Sequence, residues 1–297
     1  MIAGAMQTPV TYSSFVAIGD SFSEGMSDLM PDGSYRGWAD LLAARFAAAD
    51  PAFRYANLAV RGKLIRQIAD QQVDVAAAMR PDLVTLVGGL NDTLRPTCDV
   101  DAVCAVLESC VERLAPACGQ LVLMRSPIRR GPAATRFLPR MEQLFDFVDE
   151  VAAEHGAIVV DLYGAEVLGD RRMWDDDRLH PTAEGHERVA EAVWQALGLP
   201  AESEWTRTLP PAVPAGWAAR RAADLRFTRT HLLPWIGRRL TGRSSGDGRE
   251  PKRPELLPYA PAAQPRSAPL PGPRVGPQSG PQSGPQSDTG DEPAYEH

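Results

Sequence analysis

The chain has 297 residues, 44% of them hydrophobic and 23% charged, with a formal net charge of −7. That length suits one large domain or two small ones, and the absence of any run of 18 apolar residues excludes a transmembrane helix. Charge is unevenly spread, net −10 over residues 1–200 and net +3 over 201–297, and all but Lys63 and Lys252 of the basic residues are arginines.

Met1 to Ser14 has no basic n-region and no long apolar h-region, so no secretory signal is expected and the cytoplasm is the expected compartment. Cys98, Cys104, Cys110 and Cys118 are separated by five, five and seven residues, which matches no zinc pattern. Free thiols are expected. No metal, organic cofactor or nucleic-acid partner is expected.

The first element is an apolar β-prone run, Phe15 to Ile18, that ends abruptly in Gly19-Asp20-Ser21. A polar loop with the turn signature Pro31-Asp32-Gly33 follows. Gly37 to Ala49 reads as a helix, with Trp38, Leu41, Leu42 and Phe46 at helical spacing, and Pro51 closes it. Arg54 to Val60 reads as a strand followed directly by Arg61-Gly62, and Lys63 to Met79 as a helix broken by Arg80-Pro81. Leu83 to Val87 is a continuous apolar run, the pattern of a parallel strand covered on both faces, and it ends in Gly88-Gly89-Leu90-Asn91-Asp92. Val100 to Leu114 is helical, Leu121 to Met124 a strand, Phe137 to His155 a long helix, Ile158 to Leu162 a strand, and Gly185 to Leu197 the last helix of this series. Five strands alternating with helices imply parallel pairing through right-handed crossovers, an α/β/α sandwich of three layers.

Beyond Pro200 the alternation stops. The expected division is an α/β domain over 1–200, a basic extension over 201–253 and a Pro/Gly/Gln/Ser-rich tail over 254–297. Trp205 to Arg253 has 11 basic against 3 acidic residues, and Trp217 to Leu233 reads as one helix. Two roles stand for it: a helix packed on the domain with solvated arginines, or a peripheral contact surface for an acidic partner or lipid headgroups. The tail, with Gly-Pro-Gln-Ser repeats from Gly276 to Ser287, has too few apolar residues for a core and is expected to be disordered.

A serine at the carboxyl end of a first parallel strand stands where open α/β sheets bind ligands. Ser21 is therefore a candidate nucleophile, although Asp20 and Ser21 equally suit a turn that caps the next element. A serine hydroxyl needs a base, a group to orient the base, and donors for the developing oxyanion. Among five histidines, His155 sits at a helix end, His231 in the basic extension, His297 at the terminus, and His186 within a helix on a face read as exposed or half-buried. His180 stands in a polar loop, Trp174 to Pro181, just before a helix, with Asp177 three residues earlier as a candidate orienting acid. Candidate oxyanion donors also follow separate strands: the Ser21 N–H, the Gly62 N–H and the Asn91 side-chain amide.

Gly19-Asp20-Ser21, Gly62, Gly88-Gly89-Leu90-Asn91-Asp92 and Asp177-Arg178-Leu179-His180-Pro181, in this order on a βα pattern, resemble the four blocks of the SGNH hydrolases, the GDSL-type esterases and lipases. The resemblance spans roughly residues 14 to 198. It implies a flavodoxin-like five-stranded parallel sheet of order 2-1-3-4-5. It also implies Ser21 as nucleophile, His180 as base, Asp177 as orienting acid, and Ser21, Gly62 and Asn91 as the oxyanion hole. The implied activity is hydrolysis of carboxylic esters of small or lipid-like substrates through an acyl-enzyme. Acyl transfer or thioester cleavage at the same site is the alternative, and a non-catalytic binding module is a more distant one. Gly19 to Ser23 does not form Gly-x-Ser-x-Gly, so an α/β-hydrolase elbow is not supported.

Overall fold

The computed structural model describes residues 12–129, 135–212, 214, 216–240 and 244–260. In chain order its main elements are β1 (Ser14–Gly19), α1 (Ser21–Glu24), α2 (Gly37–Ala49), β2 (Arg54–Asn57), α3 (Ile65–Ile68), a π turn (Ala69–Val73), α4 (Asp74–Ala78), β3 (Leu83–Val87), α5 (Leu90–Thr93), α6 (Val100–Leu114), β4 (Gln120–Arg125), α7 (Leu138–His155), β5 (Ile158–Asp161), α8 (Glu166–Gly169), α9 (Ala183–Ala196), α10 (Trp217–Phe227), α11 (Leu233–Leu240) and β6 (Arg253–Pro258).

Every residue of β1 is buried, so each face of the strand must meet a helix layer. Phe15 and Ala17 face a cluster with Trp38, Leu42 and Phe46 of α2 and Val189 and Val193 of α9. Val16 and Ile18 face the other, with Ile65, Ile68, Leu107 of α6 and Leu144 of α7. The period of two along the strand thus divides the core into two apolar layers. Fully burying a side chain such as Phe15 or Ile18 stabilises by about 2 kcal/mol.

The sheet order is β5-β4-β3-β1-β2-β6. Strands β1 to β5 pair in parallel, as the alternation of strands and helices predicts. The expected count of five needs correction: β6 joins antiparallel to the outer edge of β2, with Arg54 opposite Pro258 and Tyr55 opposite Leu257. Its six residues cross the boundary drawn at 253/254. Arg253-Pro-Glu-Leu-Leu-Pro258 does not read as a strand because prolines bracket it, yet an outer edge is where a strand tolerates proline. The rest of the expected tail, residues 261–297, and most of the N-terminal segment read for a signal, residues 1–11, lie outside the described residues.

The extension between the two boundaries also leans on the domain. Trp205 and Leu209 pack against the core that holds α9, and the Arg188 guanidinium donates to the carbonyls of Trp205 and Arg207. The single helix expected over Trp217 to Leu233 is observed as α10, a π turn (Thr228–Leu232) and α11. No helix among the described residues is long and apolar enough to cross a membrane.

Candidate active site

The end of β1 admits only glycine. Gly19 has φ +148°, and a Cβ there would lie 2.4 Å from the carbonyl oxygen of Val87 on β3. The buried Gln72 amide, presented by the π turn, donates to Gly19 O at 2.9 Å and accepts from Gly19 N at 2.7 Å. The backbone is thereby held on both sides just before Asp20 and Ser21. Asp20 caps α1 by accepting from Phe22 N at 3.0 Å, and Ser21 is the first residue of that helix. Its N–H therefore has no acceptor within the helix.

The loop after β5 brings the acid and the imidazole. It closes on itself through Asp175 N to His180 O, Arg178 N to Asp175 O and Thr182 N to Met173 O, at 2.8–2.9 Å. Arg178 takes the left-handed conformation, φ +59°, at its tip. His180 Nε2 lies 2.8 Å from Ser21 Oγ, and His180 Nδ1 lies 2.5 Å from Asp177 Oδ2. The second carboxylate oxygen of Asp177 accepts the N–H groups of Leu179 and His180 at 2.9 and 3.0 Å. Burial works against the Asp177 carboxylate, but these hydrogen bonds and the imidazole charge hold its pKa below the ordinary value. Ser21, His180 and Asp177, 159 residues apart at their extremes, form one hydrogen-bonded series.

Gly62 and Asn91, expected as oxyanion donors beside the Ser21 N–H, follow β2 and β3, the two strands that flank β1. Gly62 has φ +73° and follows Val60, whose N–H donates to Gly19 O at 3.3 Å. Arg61 is bound into α1: its N–H donates to Glu24 Oε2 at 2.6 Å and its guanidinium makes a buried ion pair with the same carboxylate. Asn91, on α5, donates to Asp20 Oδ2 at 2.9 Å and to Lys63 O at 3.1 Å. Both hydrogens of that amide are thus committed, and a bond to an oxyanion requires one of them to be exchanged. Burial raises the Asp20 carboxyl to about 6, against the lowering effects of the Phe22 N–H and the His180 charge.

Some expectations at the site change. His186, read as exposed or half-buried, is fully buried. It accepts from Trp38 N at 3.2 Å and contacts Met26 O through Nε2 at 2.9 Å, joining α9 to α2 and to the loop after α1. Lys252, one of the two lysines of the chain, ties α1 to α2. Its ammonium donates to the carbonyls of Glu24, Tyr35 and Arg36 and to the buried Asp40 carboxylate, all within 3.1 Å. Ser244 Oγ sits where a Gly62 Cβ would project, 2.3 Å from that point, and hydrogen-bonds Gly62 O at 3.2 Å. No local sequence signal marks Gln72 or Lys252, because their partners lie far along the chain. The four cysteines are free, and no group of three or more metal-ligating side chains occurs among the described residues.

Comparisons with known proteins show the family and the fold. Residues 17–188 match the GDSL-like Lipase/Acylhydrolase family. The chain is 26% identical to an acetylxylan esterase of Geobacillus stearothermophilus over 170 residues, covering 52% of this chain and 75% of that protein. It resembles the crystal structure of an alpha/beta hydrolase enzyme from the metagenome of Lake Arreo, Spain, with TM-score 0.54 and 26% identity, covering 63% of this chain and 95% of that one. A structure of the Geobacillus stearothermophilus acetylxylan esterase gives TM-score 0.56 at 21% identity, covering 68% of this chain and all of that one, a likeness of fold. The strand-end glycine, serine, asparagine and histidine blocks, the doubly wound sheet and the match over 17–188 lead to one conclusion: the chain belongs to the GDSL-like lipase/acylhydrolase family and is a carboxylic ester hydrolase.

Proposed function

We propose that the chain hydrolyses carboxylic esters through an acyl-enzyme on Ser21. The single observation that carries this is the continuous series from Asp177 through His180 to Ser21 Oγ. His180 Nε2 accepts the Ser21 proton as Oγ attacks the ester carbonyl, and Asp177 holds Nδ1–H toward itself and stabilises the imidazolium. The tetrahedral oxyanion takes donors from Ser21 N–H, Gly62 N–H and the Asn91 amide, which gives up its bond to the Lys63 carbonyl to do so. His180 then protonates the leaving alcohol. Water repeats the sequence on the acyl-enzyme and regenerates Ser21. No metal or organic cofactor takes part in these steps.

A short acyl group on a polyol is the substrate class to test first, because an esterase that removes acetyl groups from xylan is among the relatives. Hydrolysis of p-nitrophenyl esters of rising acyl length, with and without a xylose acetate competitor, measures that preference. The Ser21→Ala variant is expected to lose on the order of 10⁴ or more in kcat. A fluorophosphonate probe is expected to label the native chain at Ser21 and leave that variant unlabelled. Turnover that survives Ser21→Ala would refute the assignment.

A further inference from the structure

A second concave site adjoins the acid–base loop. A cavity of about 160 Å³ lies between that loop, Arg129 after β4, and the C-terminal part of α10. Five arginines line it: Arg129, Arg171, Arg172, Arg178 and Arg226. We propose that this cavity binds an oxyanion of the phosphate or carboxylate type.

Two of the five guanidiniums are already held in place. Arg172 forks onto Asp170, and Arg178 pairs with Asp224 at 2.6 Å while lying 4.3 Å over the Phe227 ring. The other three, Arg129, Arg171 and Arg226, have no carboxylate within ion-pair distance among the described residues. Arg129 is half-buried, and burial together with the charges of Arg178 and Arg171 pushes its pKa down. The carboxylates facing the cavity, Asp175 and Asp176, are exposed. Like charges gathered in a concavity raise the local potential for an anion. Guanidinium, planar and with five donors, matches a carboxylate or phosphate two oxygens at a time.

Part of the cavity wall lies outside the stretch that matches the family. Arg226 and Phe227 belong to α10, outside the matched residues 17–188. The anion can come from two sources: an acid group on the ester substrate, or a free small anion that braces the loop carrying Asp177 and His180. The second source and the first both lean on the esterase reading for their kinetics, but the binding itself does not.

Calorimetric titration of inorganic phosphate, and separately of succinate, into the full chain tests the site. Saturable binding of either is expected. Arg129→Ala and Arg226→Ala are each expected to weaken it about tenfold, the loss of one charge-assisted hydrogen bond. Arg129→Lys should retain part of it, and Ser21→Ala should bind as the native chain does. Arg226 is exposed, so its variant keeps the test valid if Arg129→Ala unfolds. No saturable binding, or binding indifferent to both alanine variants, would overturn the proposal.

Kinetics then assign the source. If the anion is part of the substrate, p-nitrophenyl hemisuccinate shows a KM that rises in Arg129→Ala while that of p-nitrophenyl acetate stays unchanged, and phosphate competes. If it is a free ligand, phosphate changes kcat on the neutral acetate ester and the charged ester gains nothing. A chain inert toward both esters that still binds phosphate would sink the hydrolase reading and leave the cavity standing.

Discussion

His180 and His186 are the same side chain in opposite settings. His180 lies in a loop between a carboxylate and a hydroxyl, whereas His186 is enclosed between α2, α9 and the loop after α1. Burial lowers the His186 pKa to about 4, outweighing the Met26 carbonyl and the Asp28 charge. The unfolded chain protonates this residue near pH ~6.5, so below that pH the unfolded state binds the extra proton first. Stability is lost as pH falls from there to about 4, by roughly 3 kcal/mol in all from this group. Asp20 pulls the other way: its raised pKa lets the native state take up a proton first between about 6 and the ordinary carboxylate value. Urea unfolding of His186→Gln against pH should therefore show a flatter loss on the acid side than the native chain. An unchanged slope would show that His186 is not the titrating group. At the site itself, Asp177→Asn is expected to lower kcat on the order of 10³ to 10⁴ with the melting temperature little changed, since it removes the carboxylate that orients the imidazole. Asn91→Ala should lower kcat by on the order of 10² to 10³, as the loss of one oxyanion donor does. Steady-state kinetics beside a thermal melt separates both effects from misfolding.

Among the elements, the turn from β1 to α1 and the segment around Lys252 bear most on the site. Gly19→Ala drives a methyl group into the Val87 carbonyl, and neither strand can retreat without breaking parallel pairs on both sides. That variant is expected to lose both fold stability and esterase activity, read as a lowered melting temperature. Lys252 joins the end of α1, the start of α2 and the loop between them just before β6 begins. Removing its charge leaves the Asp40 carboxylate buried with only Tyr55 as a close side-chain donor. Lys252→Met is therefore expected to cost about 3 kcal/mol, and adding Asp40→Asn to restore part of it. A double-mutant cycle by chemical denaturation measures that coupling, and strict additivity would contradict it.

On the scale of the whole molecule, the extension turns a domain of family size into a longer closed unit. It meets the site at two places: Asp224 and Phe227 against Arg178 of the acid–base loop, and Ser244 against Gly62. β6 covers the edge of β2, which otherwise presents an unpaired ladder. A chain ending at residue 243 is expected to melt lower and to self-associate through that edge, seen by light scattering after size-exclusion chromatography. A monomeric truncation of native stability would refute the structural role given to β6.

The sequence by itself determined the elements whose signals are local: the apolar strand runs, the helical periods, and the turn chemistry that puts Ser21, Gly62, Asn91 and His180 each just after a strand or before a helix. Those signals also carried the parallel pairing of β1 to β5, because βα alternation leaves few topologies open, whereas the order 2-1-3-4-5 came from the resemblance to the SGNH hydrolases. What only the tertiary structure decided depends on partners far apart in the chain. Lys252 lies 212 to 228 residues from its acceptors, β6 exists only against β2, and His186 is buried by α2 rather than by anything in its own helix. The commitment of both Asn91 amide hydrogens follows from neighbours 71 and 28 residues away. A local pattern specifies what a segment can become, and packing selects which distant group completes its hydrogen bonds.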